Sequence, residues 1–179
     1  MVGCPESGGV SVNPRVVVSL AGAVSLAAAM AAGFEGNVPT PYRDVTGVLT
    51  VCYGHTGSVE QRRYTDAECQ ALLQKDMAEA NATVRRCVGR DMPVNVEAAL
   101  TDLTYNVGPG RVARGRDRGH DGFCVLKNGR PSTIRTFAML GDWQNVCDQF
   151  KYWGFGGGNQ LPGLVKRRAA EQAMCEART

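Results

Sequence analysis

The sequence predicts an α+β protein, mainly helical, in which a small β-hairpin lobe precedes a larger helical lobe. Three observations carry this expectation. A β-branched and aromatic run, Val48-Leu49-Thr50-Val51-Cys52-Tyr53, stands among turn residues between positions 36 and 57. The tetrad Thr65-Asp66-Ala67-Glu68 is a capping box, which marks a helix start. After it, apolar residues recur at helical spacing through much of the remaining chain. At 179 residues the chain fits one domain built as two lobes. A chain of that length buries roughly two-thirds of its unfolded surface, so a core forms without staples.

In residues 36–57 the turn formers Asn37, Pro39, Pro41, Gly47 and Gly54 separate short extended pieces. The piece carrying Tyr42 and Val45 is expected to pair with 48–53 in a hairpin. Thr65 as N-cap and Glu68 at N3 then open a helix. Its stripe runs Leu72, Leu73, Met77, Ala80, Val84, and it ends near Cys87 and Gly89. A second helix spans 96–107, with Val96, Leu100, Leu103 and Val107 on one face, and Gly108-Pro109-Gly110 stops it. Residues 111–122 carry Arg111, Arg114, Arg116 and Arg118 and read as a solvated loop. The sharper alternative for that loop is contact with anionic wall polymer or lipid headgroups. Residues 132–140 and 143–153 read as helices, 154–158 as a flexible break, and 164–178 as a final helix.

The formal charge of +3 is too small to point to nucleic acid, and no nucleic-acid partner is expected. It still favours approach to an anionic polymer or membrane face. Seven cysteines are many for a cytosolic protein of this length. Cys4 precedes a long apolar segment and is the odd one out. Cys52, Cys69, Cys87, Cys124, Cys147 and Cys175 follow it, as three disulfides or as buried thiols. No His/Cys spacing suggests a metal site, and neither metal nor cofactor is expected.

Residues 16–34 hold no charge and are nearly long enough for a bilayer core of roughly 30 Å. Arg15 stands just before the segment and Glu35 just after it, which weakly favours a cytoplasmic N-terminus. Ala, Gly and Ser fill much of it, so its hydrophobicity is marginal. Three readings compete. One is a cleaved signal peptide, with Ala29-Met30-Ala31 as an A-x-A site, although that cut leaves little ahead of Glu35. The second is a permanent anchor. The third is an anchor that inserts and later leaves the membrane, which small residues suit because they also pack closely on protein. The expected organisation is a short cytoplasmic tail (1–15), a releasable signal-anchor (16–34) and a catalytic domain (35–179).

Cleavage of a glycosidic bond needs one protonated and one ionised carboxyl group. Glu35 follows Phe34 at the end of the apolar run, and burial against apolar surface would favour its neutral form. Asp44 lies in a polar turn, where Arg43 and backbone amides would favour the ionised form. Thr50 follows on the strand, its hydroxyl placed to hold a water beside Asp44. Spacing alone is weak support, since many loops hold a Glu and an Asp nine residues apart.

Further residues add to it. Glu35-x8-Asp44-x5-Thr50 is followed by Val51-Cys52-Tyr53-Gly54-His55-Thr56-Gly57, by Tyr64-Thr65-Asp66-Ala67-Glu68-Cys69 with Asp76 beyond, by Tyr105-Asn106-Val107-Gly108, and by Leu161-Pro162-Gly163-Leu164-Val165-Lys166-Arg167-Arg168 with Glu171. In this order the motifs resemble the phage-type lysozymes of glycoside hydrolase family 24, over nearly all of residues 34–175. The chain departs from that pattern in 111–132, which is longer and richer in Arg and Gly.

The resemblance implies a lysozyme-like fold and an inverting N-acetylmuramidase acting on peptidoglycan. It makes Glu35 the general acid, with Asp44 and Thr50 positioning the attacking water. It implies that Thr56 and Tyr105 line the sugar cleft, with Asn106 close to the acid and Arg167 or Arg168 pairing near Glu35. His55 then reads as structural, in a partly buried ion pair with Asp76, and Tyr53 and Tyr64 as packing residues. With this arrangement Cys52–Cys69 joins sheet to helix, Cys147–Cys175 joins the last two helices, and Cys87–Cys124 remains. Six cysteines allow fifteen arrangements, so this pairing is an expectation only.

The N-terminal segment joined to this pattern resembles the signal-arrest-release endolysins of lambdoid phages such as phage 21. That resemblance implies export by the host secretion machinery, anchoring in the inner membrane through 16–34, and release to the periplasm on collapse of the membrane potential by a holin or pinholin. A monomer is expected. No cysteine lies inside 16–34, so refolding rather than disulfide exchange is the expected switch. Two alternatives are kept: a lytic transglycosylase, which needs no water-activating pair, and a non-catalytic membrane-tethered wall-binding protein.

Overall fold

A computed structural model describes residues 14–44 and 47–177, with the side chains of the first helix described from Gly22 onward. Cys4, Val45, Thr46 and Arg178 lie outside these residues, and with them the expectations placed on them. Helix α1 (Pro14–Glu35) leads into an antiparallel hairpin, β1 (Val38–Arg43) and β2 (Leu49–Cys52). The helical lobe follows: α2 (Asp66–Val88), α3 (Val94–Val107), α4 (Thr133–Leu140), α5 (Trp143–Gln149) and α6 (Pro162–Glu176).

The capping box forms as expected. The Thr65 side chain accepts the Glu68 amide, and the Glu68 carboxylate accepts the Thr65 amide. Hydrogen bonds from the Arg62 side chain and from Thr65 hold the Glu68 carboxyl down to about 2. Gly89 closes α2 in the left-handed region at φ 71°, a conformation that costs glycine little. In the hairpin Tyr42 pairs with Thr50 and Arg43 with Leu49.

Two segments are more ordered than the sequence suggests. Residues 154–158 are not a flexible break. Phe155–Gly156 (β3) and Asn159–Gln160 (β4) form a hairpin around Gly157 and Gly158. Within the basic loop, Arg111 pairs with His120 and Arg114 with Asp117 as backbone bridges. The expected helix 143–153 is α5 followed by a 3-10 turn, Phe150–Trp153.

The main core lies among α2–α6, with Leu100, Leu103, Phe123, Ile134 and Phe150 fully buried. Helix α1 packs on α2 and α3. It buries Ala23, Ala27, Ala28 and Ala31, the last three against Leu73 and Met77. Small side chains allow this close approach, while Leu26 and Phe34 stay exposed. The helix runs through the boundary expected at 34/35, and Glu35 is its last residue. Among the described residues no helix is long and apolar enough to cross a membrane.

The disulfides are Cys52–Cys69, Cys87–Cys124 and Cys147–Cys175, the pairing expected. Cys87–Cys124 spans 37 residues, the longest separation of the three. Replacing both of its cysteines with serine is expected to lower unfolding free energy by about 3–4 kcal/mol, measured by urea denaturation.

Candidate active site

A cleft of about 670 Å³ opens between the hairpin lobe and the faces of α2 and α3. The end of α1 brings Glu35 to it, and the segment after β2 brings Tyr53, His55 and Thr56. Helix α3 contributes Tyr105 and Asn106, and α2 contributes Asp76. Glu35, Thr56, Tyr105, Asn106, His55 and Asp76 therefore share one cavity. Lys75, Glu79 and Thr104 also line it and were not anticipated. Lys75 and Glu79 lie one before and three after Asp76, so the α2 face that carries Asp76 was the available signal.

Asp44 and Thr50 stand on the hairpin outside this lining. Asp44 Oδ1 accepts the Val48 amide at 2.9 Å, and the Asp44 and Gly47 backbones bond across the same turn. Arg43 donates to the Gly47 carbonyl at 2.7 Å, stiffening the turn. Thr50 is buried, and its hydroxyl donates to the Val48 carbonyl at 3.1 Å.

The structure corrects the expected surroundings of Glu35. They are charged, not apolar. Its carboxylate accepts from Arg167 Nη1, and its side chain is 28% exposed. Phe34 is exposed, with the Arg167 guanidinium 5.8 Å from its ring centroid. Of the two arginines considered, Arg167 pairs with Glu35. Arg168 donates to Asn106 Oδ1 at 2.9 Å.

Behind Glu35 lies a buried charge cluster. Arg167 donates to both Asp102 oxygens, at 2.9 and 3.0 Å. Arg168 sits 2.8 Å from Glu171. Burial works against the Arg167 charge, but hydrogen bonds to Asp102 and Glu35 outweigh it and raise its proton affinity. Burial lowers that of Arg168. Asp102 was missed at the sequence level, although it lies four residues before Asn106 on the same helical face.

Glu171 is fully buried. Burial first, and the neighbouring Asp102 next, push its carboxyl well above the usual carboxylate range. The charges agree with this direction. Glu35, Asp102 and Glu171 face two arginines, so one added proton makes the cluster neutral. A carboxyl that binds its proton more tightly when folded stabilises the fold fully below the ordinary carboxylate range, and that stabilisation is lost as pH rises. This contribution is expected to lower the melting temperature between about pH 5 and pH 8. Glu171→Gln, which fixes a neutral side chain, is expected to flatten that slope. Calorimetry at the two pH values checks it, and equal slopes in the two proteins count against the protonated carboxyl.

His55 Nδ1 lies 2.8 Å from Asp76 Oδ2, tying the hairpin lobe to α2. Its ring packs on Gly57, where a Cβ would come within 2.7 Å. Tyr53 does more than pack, because it also forms part of the cleft wall. Its carbonyl accepts the Tyr105 hydroxyl at 2.5 Å, and its own hydroxyl accepts from Gln70 at 2.8 Å. Burial and then the Glu35 charge raise the proton affinity of the Tyr105 phenol, so it remains a donor. Tyr64 is a packing residue in the cluster with Val51, Cys52 and Cys69.

Residues 32–171 match the family described as phage lysozyme. The SAR-endolysin of bacteriophage PS119 is 39% identical over 145 residues, covering 80% of this chain and 77% of that protein. The SAR-endolysin of Enterobacteria phage P21 is 38% identical over 145 residues, covering 80% and 78%. The active form of the P1 phage endolysin Lyz has the same fold, with a TM-score of 0.69, 24% identity and coverage of 94% of this chain and 96% of that one. With this fold, and with a family match over most of its length, the chain belongs to the phage lysozyme family.

Proposed function

We propose that this chain is a muramidase endolysin that hydrolyses the β-1,4 bond between N-acetylmuramic acid and N-acetylglucosamine in peptidoglycan. The observation that carries the reading is Glu35, held by Arg167 at the rim of a cleft that also contains Thr56, Tyr105 and Asn106. Glu35 as a carboxylic acid gives its proton to the glycosidic oxygen while the bond from that oxygen to the anomeric carbon breaks. Water attacks the same carbon from the opposite face and gives a proton to Asp44. Thr50 shapes the hairpin beside that water. The product is inverted at the anomeric carbon, a course that needs the two carboxyl groups roughly 6.5–9.5 Å apart. Thr56, Tyr105 and Asn106 contact the sugar strand.

In this reading residues 16–34 carry the chain through the host secretion machinery and hold it in the inner membrane, N-terminus in the cytoplasm. A holin or pinholin then triggers release to the periplasm. The alanine face of α1 supports a helix with two environments, since the residues that tolerate lipid also pack on Leu73 and Met77. While α1 is in the membrane, Glu35 is withdrawn from the cleft. The protein acts as a monomer, without nucleic acid.

Digestion of purified sacculi tests the chemistry. Reducing ends are expected, whereas anhydro ends would identify a lytic transglycosylase. Expression in a Gram-negative host tests the anchor. Lysis is expected only after a depolarising agent is added, and a shortened chain on a gel would instead identify a cleaved signal peptide.

A further inference from the structure

Glu35 stands beside a guanidinium, which poses a difficulty for an acid. A neighbouring positive charge favours the ionised form of a carboxyl group, and a general acid must hold a proton to give. The fold answers with a second carboxylate. Asp102, on α3, is fully buried and takes Arg167 Nε and Nη2 through its two oxygens, at 2.9 and 3.0 Å. Bidentate pairing of this kind fixes the plane of a guanidinium. It directs Nη1 at Glu35. The Arg167 side chain is only 4% exposed, so water screens the pair little.

We propose that Asp102 is a positioning residue for the reaction: it aims Arg167 at Glu35 and cancels the guanidinium charge, so that Glu35 is held in place yet able to carry its proton. The inference rests on the reading of Glu35 as the acid. The other charged or titratable groups around the site have partners or positions of their own. On α6, Glu171 sits 2.8 Å from Arg168 and 3.5 Å from Arg167 Nε, and burial favours its neutral form, so it adds little negative charge against that guanidinium. On α3, the Tyr105 hydroxyl is engaged by the Tyr53 carbonyl. Across the cleft, His55 is paired with Asp76 on α2, and Lys75 and Glu79 line the same wall. Among the described residues, Arg167 is the one that bridges from Glu35 to a fully buried carboxylate, which it grips with two nitrogens. Because α3 and α6 supply Asp102 and Arg167 while α1 supplies Glu35, the receptor for the acid is built by elements other than the one that delivers it.

Asp102→Asn keeps the side-chain shape and removes the charge. Carbon-13 NMR of the Glu35 carboxyl in the labelled full chain follows its titration whether or not Glu35 is the acid. The midpoint is expected to fall by about one pH unit or more in the variant. The alkaline limb of the pH profile for wall hydrolysis should move down with it. An unmoved midpoint in folded Asp102→Asn overturns the proposal and leaves the acid role standing. A midpoint that moves without the activity limb removes Glu35 from the acid role, and the positioning role falls with it. If Asp102→Asn does not fold, Arg167→Gln is compared with Arg167→Gln/Asp102→Asn. The single variant leaves the Asp102 charge facing Glu35, so its midpoint is expected above that of the double variant. Equal midpoints overturn the proposal.

Discussion

Glu35→Gln is expected to reduce the rate of peptidoglycan hydrolysis by about 10²–10⁴-fold, the range that positioned acid–base groups supply. Glutamine keeps the length of the side chain and one acceptor oxygen but has no acidic proton. The fold should persist, because Arg167 keeps both hydrogen bonds to Asp102. Clearing of chloroform-treated Gram-negative cells measures the rate, and near-ultraviolet circular dichroism checks the packing. A variant that is folded and clears cells at the wild-type rate would remove Glu35 from the mechanism. The wall would then be cut with a proton from another group.

The second large effect concerns α1. Ala27 is fully buried against α2, in the cluster that holds Leu73 and Met77. Ala27→Leu is expected to cost about 1–3 kcal/mol by overpacking, concentrated where α1 meets the rest of the molecule. Because α1 carries Glu35, the docking equilibrium constant falls by about 5- to 150-fold for that range of energy, and activity falls with it once the undocked form is populated. Ala29→Leu, on the exposed face of the same helix, serves as the control and should clear cells at nearly the wild-type rate. Equal rates for the two variants would mean that the buried alanine face does not hold Glu35 in place.

Much of the fold could be read locally. Thr65 and Glu68 announced α2 because capping depends on residues three apart, and Gly89 ended it because the left-handed region favours glycine. The apolar spacing of Val96, Leu100 and Leu103 marked the buried face of α3. The cysteine pairing came with the family resemblance, because local spacing does not choose among the fifteen arrangements of six cysteines. The hairpin at 155–160 escaped because strands of two residues carry no alternation to detect.

At the site, the motifs named six residues that share the cleft, but the environment of Glu35 was not legible. Phe34 suggested an apolar pocket because it adjoins Glu35 in sequence, yet its ring is exposed. The group that controls Glu35 comes from 132 residues away, and Asp102 meets Arg167 across a separation of 65. Pairings at that range are set by how α1, α3 and α6 come together, which no local spacing encodes.

The three disulfides close residues 52–69, 87–124 and 147–175, and none of them reaches α1. A crosslink lowers the entropy of the unfolded chain only for the loop it closes. Covalent reinforcement therefore falls on the hairpin and the later helices, while α1 is held by side-chain packing and its ion pair to Arg167. The molecule should accordingly open in two steps rather than one. Amide protons of α1 would exchange with solvent at a low opening free energy, and those of α2 and α3 only at the cost of global unfolding. A reducing agent should narrow that gap by weakening the body and leaving the attachment of α1 unchanged. The oxidised body thus sets a ceiling on stability that α1, which carries Glu35, does not share.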